Sequence, residues 1–332
     1  EEAALHDLGR TAHELRLRRA DPDVVTYIID RNVTYTNLCY ADCQFCAFNR
    51  HQGDGDEYLL SIDEIHEKIR SVDMAGGNQI LLQGGHHPKK RLGYYEDMLR
   101  MIKSEWPDLW VHGFSPSEIQ HFARLNGLDT VIVLERLKAA GLDSIPGGGA
   151  EILSDRVRRI LAPGKTMSAE WIDIMEQAHA VGLPTTVTMM FAHIETYAER
   201  VEHLLRVRES QDRTGGYTAF IPWTFQPGNT PLMDEPELKA AVLAVGEDWS
   251  SRLGAAWFDR QGLGIGWVDA CEALQVVPEP DPTTPRAWPS ASWAPRPSPP
   301  GSALRSRPGL PSRPSLPPLG SGKYLTVRSI SF

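Results

Sequence analysis

Apolar positions along the first 224 residues follow two periods in alternation. Short β-type runs at 33–38, 79–83, 110–114, 143–145, 185–190 and 217–223 predict six strands. Between them, apolar residues at helical spacing predict helices over 61–74, 94–104, 129–140, 168–181 and 196–211. The first of these opens Ser61-Ile62-Asp63-Glu64, where a hydroxyl and a carboxylate three residues on satisfy the free N–H groups of the first turn. A stretch at 1–20, rich in Leu, Arg and Glu, predicts one more helix ahead of the first strand.

Strand-then-helix units in succession imply parallel strands joined by right-handed crossovers, hence an α/β fold that is either a doubly wound sheet or a (β/α) barrel. The Cys-rich, Gly-rich and polar clusters each directly follow a predicted strand, where barrel active sites are built. Beyond about residue 245 the pattern changes. Residues 278–332 hold 14 of the 25 prolines and almost no periodic apolar positions, too little to offset the entropy of ordering, so this tail is expected to be disordered. The expected organisation is a barrel domain with an N-terminal helix over 1–245, a divergent segment at 246–277, and the tail.

Charge narrows the choice of function. Residues 282–332 carry seven basic and no acidic side chains, which leaves 27 basic against 43 acidic, or −16, for the rest. A body so acidic argues against a nucleic-acid partner. There is neither a run of eighteen apolar residues nor a leader-like start, so no membrane span is expected and the cytoplasm is the expected location. In that reducing compartment, three of the four cysteines within eight residues form a ligand set sooner than a disulfide framework.

Those three are Cys39, Cys43 and Cys46, spaced CxxxCxxC just after the first predicted strand. Three thiolates on one loop can hold three irons of a 4Fe-4S cubane and leave the fourth iron open. An open iron is what chelation of the amino and carboxylate groups of S-adenosylmethionine (SAM) requires. The competing zinc site needs a fourth ligand, for which His51 and Cys271 are candidates, although neither belongs to a paired motif. Phe45, directly before the last cysteine, strengthens the cluster reading and is assigned to the cofactor.

The segment 31–37, Arg-Asn-Val-Thr-Tyr-Thr-Asn, running into CxxxCxFC and then Ala47-Phe48, resembles the radical SAM branch of the menaquinone futalosine-pathway enzymes and the deazaflavin FO synthases. Four later segments, at 83–88, 144–151, 188–195 and 220–230, are most similar to the cyclic dehypoxanthinyl futalosine synthases of that branch. The resemblance covers about 5–240. It implies a radical SAM barrel of TIM type, here lacking the closing units expected beyond residue 245. It also implies a 4Fe-4S cluster and SAM as cofactors, dehypoxanthine futalosine as substrate, and a low-potential donor such as flavodoxin or ferredoxin. The implied reaction removes the ribose C4′ hydrogen and adds the carbon radical to the benzoate ring. Aminofutalosine synthase, an FO synthase subunit, or a non-catalytic chain with a truncated barrel remain the alternatives.

Residue roles follow from chemistry and position. Gln83, Gly84 and Gly85 sit where the superfamily places a turn that meets the SAM amino group. His86 and His87 are candidate proton carriers, since imidazole titrates near neutrality. Glu151, after the glycine run 147–149, can bind a ribose hydroxyl or accept a proton. His193 and Glu195 are placed at the cofactor on the argument that a strand continuing through them would face both the same way. Trp223, Gln226 and Asn229 are assigned to a pocket for the aromatic carboxylate, and Arg158 or Arg50 would suit its charge.

Overall fold

A computed structural model describes residues 5–18, 21, 24–26, 28–240, 242 and 326–328 of the 332-residue chain. Strand β1 (Val24–Thr26) follows α1 (Leu5–Leu17) and pairs antiparallel with β7 (Thr326–Arg328). These three tail residues form a strand; the rest of the 278–332 tail and all of 246–277 lie outside the described residues.

The repeating part runs β2 (Asp30–Thr34), α2 (Ile62–Met74), β3 (Gln79–Gln83), α3 (Leu92–Glu105), β4 (Trp110–Gly113), α4 (Pro116–Asn126), α5 (Thr130–Ala140), α6 (Asp155–Leu161), α7 (Ser168–Ala180), β5 (Thr185–Phe191), α8 (Tyr197–Thr214) and β6 (Tyr217–Thr224). Strands β2, β3 and β4 pair in parallel, as do β5 and β6. Two parallel bridges, His112 to Ser144 and Ile145 to Thr185, join the groups into one order, β2-β3-β4-(144–145)-β5-β6. All six predicted strand positions are therefore occupied, and each neighbours the next in sequence. Among the described residues no strand pairs β6 back to β2.

One face of each strand is apolar and the other polar, and the period of two decides which. Val33, Ile80, Leu82, Val111, Ile145 and Val187 share a buried core with Ile65, Leu99, Leu134 and Ile174 of the helices, each such side chain worth roughly 1.5–3 kcal/mol of burial. The alternate positions Gln83, His112, Ser144, Thr186 and Thr188 form the second face. Its hydroxyls are used locally: His112 Nδ1 and Ser144 Oγ lie 2.7 Å apart, and Thr188 Oγ1 donates to Gly147 O at 2.7 Å.

Two strands and two helices differ from expectation. The first strand lies at 30–34, because beyond Thr34 the backbone leaves the ladder: Thr36 bridges to Leu59 and Leu38 to Arg50, which shapes the cysteine loop. The fourth is only two bridged residues, since Pro146 has no N–H to extend it. Helix α4 was unforeseen because Pro116 reads as a breaker. At the first helical position proline is favoured, and Ser115 with Glu118 closes a capping box around it. Short α6 was likewise unforeseen.

Candidate active site

The loop after β2 carries all three cysteines, and neighbours on every side hold its backbone. Cys39 N donates to Arg50 O at 3.0 Å, Gln44 N to Leu161 O at 2.7 Å, and Leu232 N to Gln44 O at 2.8 Å. Two glycines let other loops approach it. A Cβ on Gly85 would stand 2.2 Å from Leu38 O, and one on Gly164 would stand 2.6 Å from Ala41 O. Gly84 likewise lies against the Tyr35 ring. Close packing on the cysteine loop is thus a sufficient reason for Gly84 and Gly85. Gln83, on the polar face, reaches toward Gly148.

All three thiols are free. Burial pushes the Cys43 thiol up to about 12 and raises Cys39, so these two stay neutral thiols until a metal replaces their protons. Among the described residues no set of three or more His, Cys, Asp or Glu stands close enough to hold a single ion. Cubane thiolates each take a different iron and need not converge on one point. Cys271 lies outside the described residues.

Beside the thiols sits Lys165, its Nζ 5.1 Å from the Phe45 ring centre and 3.2 Å from Glu151 Oε1. Burial works against its charge, but Cys43, Glu151 and Cys39 hold its pKa above the ordinary lysine value. Glu151 is 6% exposed, adopts a left-handed backbone (φ 37°), and keeps Oε2 without a hydrogen bond among the described residues. A buried carboxylate oxygen left over in this way suits a ligand hydroxyl or ammonium group. The donor set therefore fits the implied groups: three thiols for the cluster, a lysine beside them, and a spare acceptor for SAM.

The glycine loop is anchored from beneath by Arg158, which is 1% exposed. Its guanidinium donates to Ala150 O at 2.7 Å, Gly149 O at 2.8 Å and Thr166 O at 2.8 Å. Arg158 is thereby fully committed, and Arg50 pairs with Asp56 at 2.7 Å, so neither is the cation proposed for an aromatic carboxylate. Buried Glu118 ties three further segments together. It accepts from Tyr35 Oη at 2.7 Å, Gly84 N at 3.0 Å and Ser115 N at 2.7 Å, while burial pushes its pKa up. The Ser115-x-x-Glu118 spacing is the signal that could have revealed it.

His86 and His87 are both buried, and burial shifts both downward, His86 to about 3. His86 therefore stays neutral across the physiological range, which corrects its expected titration near neutrality. It stacks on His121 with ring centres 4.9 Å apart. His87 Nδ1 accepts from Lys89 N.

The strand argument for His193 and Glu195 does not hold. Strand β5 ends at Phe191 and Ala192 takes a left-handed conformation, so no strand period reaches them. His193 Nε2 bonds Met190 O at 3.0 Å, and Glu195 accepts from Ala192 N, His193 N and Arg200. Burial opposes ionisation of Glu195, but His193 and Arg200 hold its pKa down at about 2. A group depressed in the folded state contributes stability above its unfolded value, near 4.3, and that contribution disappears as pH falls toward 2. Glu195→Gln should accordingly be less stable at pH 6 and show a flatter loss of melting temperature between pH 5 and pH 3, on the order of one unit around that window. Parallel melting curves for the two proteins would refute the assignment.

Trp223, Gln226 and Asn229 are exposed. In that segment it is Phe225 that is buried, packed with Cys43 and Met190. All five non-glycine residues with left-handed backbone, Asp42, Phe114, Glu151, Ala192 and Asn229, follow the C-terminal ends of sheet strands. Backbone strain of this kind concentrates at functional sites.

A parallel sheet with a three-thiol loop at its C-terminal mouth defines a class, the enzymes that cleave SAM at an open cluster iron. Residues 33–207 match the Radical SAM superfamily, and the chain belongs to it. Among similar proteins, a 5-amino-6-(D-ribitylamino)uracil--L-tyrosine 4-hydroxyphenyl transferase 1 of Methanosarcina barkeri is 46% identical over 226 residues, 68% of this chain and 59% of that protein. A cyclic dehypoxanthine futalosine synthase of Streptomyces coelicolor is 44% identical over 234 residues, 70% and 59% of the two chains. The matching part thus spans about three fifths of these relatives. Methylornithine synthase (PylB) shares the fold with TM-score 0.55 at 16% identity, covering 75% of this chain and 69% of that one. The hydrogenase maturase HydG does so with TM-score 0.57 at 14% identity, covering 74% and 54%.

Proposed function

We propose that the chain carries out the radical cyclisation of dehypoxanthine futalosine to its cyclic dehypoxanthinyl product, a step of menaquinone formation. The observation that carries this reading is the 44% identity to the Streptomyces synthase over 234 residues, together with the motifs at 83–88, 144–151, 188–195 and 220–230. A 4Fe-4S cluster with bound SAM supplies a carbon radical strong enough to remove a hydrogen atom from a sugar C–H bond. Cys39, Cys43 and Cys46 would hold the cluster, Lys165 would offset its negative charge, and Glu151 would receive a hydroxyl or ammonium of SAM. Gly147 lets its loop lie against the β5 backbone, where a Cβ would stand 2.6 Å from Thr188 N. Arg158 holds that loop at the mouth. Electrons would come from a low-potential donor of the flavodoxin or ferredoxin kind. No helix among the described residues is long and apolar enough to cross a membrane, and the cytoplasm is the proposed location.

The 46% identity to the Methanosarcina transferase supports a second reading, in which L-tyrosine supplies the radical. Anaerobically reconstituted protein, SAM and dithionite should convert dehypoxanthine futalosine to a cyclised product two hydrogens lighter, since the C4′ hydrogen goes to the adenosyl radical and the ring then loses a proton and an electron; mass spectrometry detects the difference. Turnover of L-tyrosine with 5-amino-6-(D-ribitylamino)uracil, and none of futalosine, would replace the first reading with the second.

A further inference from the structure

A cavity of about 270 Å³ opens between the cysteine loop, the turn after β3 and helix α4. Tyr40, His86, Gln120, His121 and Arg124 are among its lining residues, and no carboxylate is. The Arg124 side chain forms no hydrogen bond or ion pair with a described residue, although the chain is acidic. His86 is only 8% exposed, and no hydrogen bond from its ring to another described residue is present. Its ring nitrogens are not fully enclosed, so they can meet a group in the cavity. His121 Nε2 lies 3.0 Å from the carbonyl of His87, which fixes that nitrogen as the N–H donor and leaves Nδ1 as an acceptor. The cavity thus presents one uncompensated guanidinium, a phenol, an amide and two stacked imidazoles.

We infer that this cavity receives the carboxylate of the substrate, with Arg124 as its counter-ion and His86 as a hydrogen-bonding partner. A guanidinium and a carboxylate match as a planar two-bond pair. The volume sits just below the usual range of small-molecule sites, about 300–1,000 Å³. It therefore takes an acid-bearing ring or side chain and leaves the remainder of the substrate outside. Location makes the assignment useful: a backbone hydrogen bond links His86 to Cys39, so a group anchored here lies beside the cluster loop. The carboxylate of SAM would be held at the open iron of a cluster, so the two acids would be bound separately.

The inference rests on the proposed reading only in that the substrate is an acid. The benzoate of dehypoxanthine futalosine meets that condition, and so does L-tyrosine, named for the Methanosarcina relative. The test measures equilibrium binding to the full chain, reconstituted and loaded with SAM. Four ligands are compared: dehypoxanthine futalosine, its carboxamide, L-tyrosine and L-tyrosinamide. At least one acid should bind about tenfold or more tightly than its amide, and Arg124→Gln should abolish that preference by weakening the acid alone. Exposed Arg124 holds no packing together, so the variant is expected to fold, and an unchanged melting temperature verifies this.

Equal binding of acid and amide by the unaltered chain would overturn the inference. So would a preference that survives in Arg124→Gln, a loss that appears in SAM affinity instead, or binding of neither acid. An Arg124-dependent preference confined to L-tyrosine would leave this site standing while removing the futalosine reading. The two ideas therefore fail separately.

Discussion

Cys43→Ala, reconstituted without oxygen, is expected to lose the brown iron–sulfur absorption and to cleave SAM at least on the order of 10³-fold more slowly. The reason lies in the loop's geometry. Cys43 is 5% exposed, in one apolar cluster with Ala41, Met190 and Phe225, while Cys39 and Cys46 sit partly open at its border. Removing the most enclosed thiol leaves one iron without a ligand in a place where water cannot easily substitute. The fold should tolerate the change, because alanine is smaller than cysteine and the loop's backbone bonds to Arg50, Leu161 and Leu232 remain. Iron content, visible absorption and deoxyadenosine release are the measurements. Full iron content and undiminished SAM cleavage in Cys43→Ala would end the cluster assignment.

Arg158→Met is expected to destabilise the chain by about 3–5 kcal/mol, the usual consequence of removing one partner from a buried ionic network. Three carbonyls, of Gly149, Ala150 and Thr166, lose their donor together, and Glu151 loses a neighbouring cation 3.7 Å away. Methionine fills most of the volume, so the effect reports lost hydrogen bonds more than a cavity. Arg158→Lys should recover only part of the loss, because one ammonium cannot span the three carbonyls as a planar guanidinium does. Urea unfolding monitored by circular dichroism provides the measurement. A change below about 1 kcal/mol would mean that the glycine loop is held by something else.

Much of this site was legible in order along the chain. Six strand positions, the cysteine triplet and the glycine run all follow from local pattern, because strand period, ligand spacing and turn chemistry depend on residues close in sequence. Glu118 and α4 were within reach through the Ser115 capping box, yet the adjacent proline masked them. Lys165, His121 and Arg124 carried no local signal, and Arg158 was read for the charge of an aromatic carboxylate and not as an anchor of the glycine loop. Each matters because of a partner brought near by folding: Lys165 by Glu151 and the cysteine loop, His121 by His86, and Arg158 by the carbonyls of two loops.

The reverse also holds, since plausible chemistry on the sequence can be spent internally. His193 and Glu195 looked available until the turn after Phe191 closed their polar atoms on one another and on Arg200. Trp223 looked like a pocket wall and stands exposed on β6. Periodicity and spacing thus located the strands and the ligand loop, both properties of neighbouring residues. Burial, and the pairing of distant charges it enforces, decided which cations and carboxylates remain free to meet a ligand. Desolvation is a property of the assembled packing, and a linear pattern contains no measure of it.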